Sequence, residues 1–171
     1  MTRFSPKSLL VYFILSFFGL VLVISQSKAQ SLAYKTLLSG LYDSEFPVVM
    51  PNQISNLSNY QVLDAREKEE FAVSHLHNSR WVGYDTFSLE TVRDLDKSKP
   101  VLIYCTVGAR SQEIGKQLKE AGFQRVYNLY GGIIQWVNDG KEVECEGKPT
   151  SKVHTYSQTW GIWLVKGEKV F

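Results

Sequence analysis

The apolar run Val101-Leu102-Ile103-Tyr104, followed at once by a helical pattern from Ser111 to Gly122, limits the fold more than any other stretch. The run is short and rich in β-branched and aromatic side chains, as a buried strand is. In the following segment Ile114, Gln117, Leu118 and Ala121 share one helical face, and Gly122 stands at the stop position. A strand that feeds straight into a helix pairs with a parallel neighbour through a crossover. The alternation recurs along the chain. Pro47–Met50, Gln61–Asp64, Arg80–Gly83 and Arg125–Leu129 read as further strands, with helical stretches expected over 51–57, 86–95 and 131–137. An α/β fold with parallel pairing follows.

Cys105 falls on the tight loop between that strand and that helix. The amides of the loop and of the helix's first turn have no intrahelical partner, so they point at whatever occupies the loop's centre. Their partial positive charge favours an anionic sulfur there. Gly108 lets the backbone turn its amides inward. Arg110 closes the loop with a permanent charge and a planar set of donors. Taken alone, a strand-end cysteine is more often a buried structural residue. Strand, Cys, four residues, Arg, Ser and helix together describe instead an anion cradle with a nucleophile at its floor.

The stretch Cys105-Thr106-Val107-Gly108-Ala109-Arg110-Ser111 resembles the active-site loop of rhodanese-like sulfurtransferases, whose single-domain members often read Cys-x-x-Gly-x-Arg-Ser. A second block is similar to the same family: Asp64-Ala65-Arg66-Glu67, then Glu70-Phe71, then His75. The family's usual Pro-Gly after that histidine is replaced by Leu76-His77-Asn78-Ser79. A third is Tyr130-Gly131-Gly132 with Trp136 following. The resemblance covers about residues 46–140 and implies a five-stranded parallel sheet with helices on both faces. It implies Cys105 as the catalytic nucleophile and Thr106, Val107, Gly108, Ala109, Arg110 and Ser111 as substrate-binding residues. Asp64 and Arg66 are expected to support the loops as an ion pair. His75 is expected to be structural, and Trp136 to lie in the core. The glycines are expected to let backbone approach the active loop.

Sulfur transfer through a cysteine persulfide is the chemistry this implies. A small sulfane-sulfur donor loads Cys105, and a thiophilic acceptor, which could be a protein, unloads it. With four residues between Cys105 and Arg110, the loop is shorter than the five-residue loop of cysteine phosphatases. Phosphatase or arsenate reductase chemistry is therefore disfavoured. Thr106, Val107 and Ala109 bring no extra cations, so thiosulfate is expected to be a poor donor. The non-catalytic alternative is a rhodanese-type binding module of the cell envelope. Three scattered histidines and the lack of a Cys-x-x-Cys pair lead us to expect neither metal nor cofactor.

Residues 1–29 read as a secretory signal: Arg3 and Lys7, an apolar Leu9–Ile24, then Ser27-Lys28-Ala29. Cleavage after Ala29 and export to the periplasm are expected, with an uncleaved helical anchor as the alternative. Removing this segment takes away three positive and no negative charges, so the net charge goes from +2 to −1. No basic run interleaved with aromatics remains, and nucleic-acid binding is not expected. The organisation expected thereafter is a lead-in helix over 30–45, the rhodanese-like domain over 46–140 and an extension over 141–171, as a monomer. In the extension, Thr159–Val165 and Val170-Phe171 suggest a hairpin turning at Gly167, with Tyr156, Trp160 and Trp163 expected to cover a sheet edge or the core rather than bind substrate. Cys145, among three glutamates, is expected to stay unpaired with Cys105.

Overall fold

The computed structural model describes residues 16–17 and 30–171, so the expected signal segment lies almost wholly outside the described residues. Two compact units are present, Met1–Leu37 and Leu38–Phe171. In the first, residues 16–17 and 30–37 are helical. Helix continues to residue 41, and residues 30–41 are called α1. No helix among the described residues is long and apolar enough to cross a membrane.

The second unit is built on β1 (Val48–Val49), β2 (Gln61–Asp64), β3 (Arg80–Trp81), β4 (Val101–Tyr104) and β5 (Val126–Leu129). These five strands form one sheet in the order β1-β5-β4-β2-β3, and every pairing is parallel. The helices are α2 (Lys68–Val73), α3 (Ala109–Glu120) and α4 (Gly132–Asn138). The helical turn expected over 51–57 is the 3-10 turn Pro51–Gln53, with a second, Leu57–Asn59, after it, and the short helix expected over 86–95 is the 3-10 turn Leu89–Val92.

All four residues of β4 are buried, which fits its place at the centre of the sheet. Side chains alternate across a strand. Val101 and Ile103 thus share a face with Leu63 and Val126, and there they pack with Ile114 and Leu118 of α3 and with Phe46. Tyr104 points to the other face, where its hydroxyl accepts from the Leu76 amide at 3.0 Å and meets Ser79 Oγ at 3.1 Å. The expected structural histidine, His75, is held by Nδ1 against the Phe71 carbonyl at 3.0 Å and stacks on the Phe71 ring. Trp136 is buried and donates to the Glu142 carbonyl at 2.9 Å.

The extension differs from its expected form. Its hairpin is β6 (Val143–Cys145) with β7 (Lys148–Thr150), antiparallel. Further on, β8 (Lys152–His154) pairs in parallel with β9 (Glu168–Val170), and the segment between them holds a short helix, α5 (Gln158–Gly161). Ser157, whose hydroxyl accepts from the Trp160 amide, starts that helix where the apolar pattern suggested a strand. No hairpin turns at Gly167.

Candidate active site

Cys105 directly follows β4 and is buried, and its Sγ accepts the Gly108 amide at 3.1 Å. Gly108 has φ of 100°, a left-handed conformation suited to glycine, and a Cβ there would strike the Tyr42 hydroxyl. The loop then passes into α3 at Ala109. A cavity of about 310 Å³ opens above it, lined by Cys105, Thr106, Val107, Ala109 and Arg110. Glu67, Tyr84, Asp85, Tyr156 and Trp160 complete the lining.

Two expected substrate-binding residues do not line this cavity. Gly108 serves the loop's conformation. Ser111 is fully buried, and its hydroxyl donates to Asn128 Oδ1 at 2.7 Å. Asn128 in turn donates to the Gly108 carbonyl at 2.8 Å, so Ser111 and Asn128 hold the loop from beneath.

Arg110 is committed to Glu70. Its guanidinium makes a two-pronged contact with that carboxylate, at 2.9 and 3.0 Å, and also donates to Thr106 Oγ1 at 2.9 Å. Thr106 Oγ1 itself donates to Glu70 Oε1 at 2.8 Å. Glu67 stands 3.7 Å from the same guanidinium. Burial pushes the Glu70 carboxyl up, but the Arg110 bonds and charge, with the Arg66 charge, outweigh it and hold the group below its ordinary value. Glu70 caps the start of α2 as well, accepting from the Glu67 amide at 3.1 Å. The family-like Glu-Phe block contains this residue, but nothing in the sequence pairs it with Arg110.

Tyr42 joins the loop without any signal in the sequence around it. Its hydroxyl donates to the Val107 carbonyl at 2.6 Å and accepts from the Gly131 amide at 2.7 Å. Burial pushes this phenol far up, so it stays protonated and able to donate. Gly132 completes the support, with its φ of 55°. A Cβ there would strike the Cys105 carbonyl and the Thr106 backbone, while the Ile133 amide donates to the Cys105 carbonyl at 2.9 Å. Two residues earlier in the chain brace the opposite side. Asp64 and Arg66 form a fully buried ion pair at 2.7 Å, and Arg66 also donates to the Ser74 carbonyl at 2.6 Å.

A family profile for the rhodanese-like domain matches residues 51–139, over half of the chain. The chain belongs to the rhodanese-like domain family. Within it, the domain is 32% identical over 96 residues to the thiosulfate sulfurtransferase GlpE of Coxiella burnetii, covering 52% of this chain and 89% of that protein. It is 33% identical over 96 residues to the tRNA uridine(34) hydroxylase of Yersinia pestis, covering 53% of this chain and 27% of that protein. Among solved structures, the polysulfide-sulfur transferase homodimer of Wolinella succinogenes aligns at a TM-score of 0.52 and 22% identity, over 68% of this chain and 90% of that one. The BH2092 protein of Bacillus halodurans aligns at 0.54 and 23%, over 67% and 85%. At these identities the structures bear on the fold, which is that of the rhodanese-like domain. The aromatic pair Tyr156 and Trp160, expected to cover a sheet edge or the core, lies beyond the matched residues on the extension. It lines the cavity instead.

Proposed function

We propose that this rhodanese-like domain is an exported sulfurtransferase in which Cys105 carries the transferred sulfur as a persulfide. One observation carries the reading: the Sγ, on the lining of the cavity, already accepts the Gly108 amide at 3.1 Å. Cys105 attacks the outer sulfur of a donor, whose inner sulfur leaves with the bonding electron pair. The new persulfide sits among the loop amides until a nucleophilic acceptor takes its outer sulfur and restores the thiolate. Thr106, Val107 and Ala109 shape the space around that sulfur. The kinship with GlpE supports the reaction class, and residues 1–29 support export. Both cysteines are free, with Cys105 buried and Cys145 half-buried, which suits a nucleophile that works without a resolving partner. Mass measurement of the intact protein after exposure to polysulfide or thiosulfate tests this. We expect a gain of one sulfur on Cys105, absent in Cys105→Ser, while that variant unfolds at nearly the wild-type temperature. Transfer retained by Cys105→Ser would remove Cys105 from the reaction.

A further inference from the structure

Resting on that reading of Cys105, we propose that the acceptor is a thiol bearing a positive charge, selected by the carboxylates Glu67 and Asp85 together with the aromatic wall that Tyr156 and Trp160 add to the cavity. At about 310 Å³ the space exceeds what a lone sulfur or a small inorganic anion fills, and matches the lower range of pockets for organic molecules. Its charges are unequal. Arg110 is taken up by Glu70 on two nitrogens, and the Tyr156 ring lies over its guanidinium at 4.9 Å. Glu67, part-exposed and 3.7 Å from the same guanidinium, adds a second negative charge against that one cation, and Asp85, exposed, adds a third beside Tyr84, Tyr156 and Trp160. Aromatic faces with carboxylates beside them attract ammonium and guanidinium groups and repel a dianion such as thiosulfate.

The wall is built, not draped. Tyr156 has φ of 66°, a conformation that costs a tyrosine and not a glycine. It is held there by its amide donating to His154 Nδ1 at 3.1 Å and by the next amide donating to the Thr155 carbonyl at 2.7 Å. Thr155 and Val153 on either side of His154 are fully buried. Asn138 at the end of α4 grips the far side, donating to the Trp163 carbonyl and accepting from the Val165 amide, each at 2.8 Å. A left-handed tyrosine, half in solvent and facing a cavity, is strain kept where the side chain is used.

In the step concerned, the acceptor thiolate attacks the outer sulfur of the Cys105 persulfide. The old S–S bond breaks with its electron pair left on Cys105, and a new S–S bond forms on the acceptor. No oxidant or reductant is consumed.

The test loads the full-length protein with polysulfide and follows discharge of the persulfide by mass, using cysteamine, mercaptoethanol and mercaptopropionate. Each variant is compared with wild type thiol by thiol, which cancels the thiols' intrinsic reactivity. The cysteamine-to-mercaptopropionate rate ratio should fall about two- to fivefold in Asp85→Asn, the effect of one exposed charge pair. A similar fall is expected in Tyr156→Gly, which removes the ring and suits the backbone. A peptide pair with cysteine flanked by lysine or by glutamate separates the sources. A larger change there than with the small thiols identifies a cationic polypeptide, and an equal or smaller one a small amine thiol. Unchanged ratios in both variants, with the persulfide forming normally, overturn the charge selection alone. Failure of any donor to load Cys105 overturns the sulfur-transfer reading and takes this inference with it. Should Tyr156→Gly not fold, Asp85→Asn at an exposed site still decides the question.

Discussion

Glu70 is only 2% exposed, yet it carries a full charge, and its replacement by alanine tests whether Arg110 is a loop brace. The substitution leaves the guanidinium without its two-pronged partner and Thr106 without its acceptor. Removing one member of a buried charge pair costs about 3–5 kcal/mol. Arg110 keeps 19% side-chain exposure, and Glu67 at 3.7 Å offers a second carboxylate, so the figure falls to about 2–3 kcal/mol here. For a domain of this size that is a fall in Tm of about 8–12 °C. Glu70→Gln keeps one oxygen acceptor and loses the charge, for about half the cost. Thermal unfolding by circular dichroism measures both, and a double-mutant cycle with Arg110→Met isolates the pair. A coupling of about 2 kcal/mol is expected. A coupling under about 0.5 kcal/mol, with Glu70→Gln melting like wild type, would refute the idea that Arg110 is held by Glu70 in solution.

Tyr42→Phe removes the hydroxyl that bonds both the Val107 carbonyl and the Gly131 amide, at a cost of about 1–3 kcal/mol, and should slow persulfide formation more than Tyr127→Phe does. Equal loading rates in the two variants would refute that role. Gly132→Ala combines a left-handed φ with a backbone collision at Cys105 and Thr106, so a loss of about 3 kcal/mol or more is expected in chemical denaturation; a loss under about 1 kcal/mol would show that the loop can yield. His154 and Glu70 mark two stages of the acid response, and Asp43, Asp94, Asp96 and Glu144, each held below its ordinary value by hydrogen bonds, add to the lower one. Burial chiefly holds His154 below its ordinary 6.5, so its contribution is complete above that pH and is lost as pH falls through the folded value. Glu70 lies below its ordinary 4.5, so its contribution is present above that pH and is lost further down. Melting temperature against pH should therefore decline in two stages, and His154→Gln should remove the first; a single stage in the wild type would contradict it.

Much of the fold could be read from the chain because its signals are local. Gln61–Asp64 and Val101–Tyr104 are apolar runs with clear ends, and the structure has strands over those same residues. The Cys105 loop was equally legible, since a strand, a glycine and a helix start fix its backbone within a few residues. What escaped is what acts over distance. Glu70 meets Arg110 across 40 residues, and Tyr42 meets Val107 across 65, with no periodicity to announce either contact. Residues 159–165 misled because aromatic and β-branched side chains favour strands only where a neighbouring strand exists. Here Ser157 caps a helical turn first, and the partner of β8 arrives from 168–170.

The Tyr42 phenol also bears on folding. Its two bonds join segments 65 and 89 residues apart, and contacts of such separation form only after the intervening chain has been organised. The sheet needs comparable reach, since Val48 pairs with Asn128, so cradle and sheet depend on the same long-range closure. The same geometry works in reverse, since release of the few residues around position 42 would slacken the Val107 and Gly131 loops while β4 and α3 stayed packed. The shape of the loop that carries Cys105 is thus tied to a residue that precedes the matched domain.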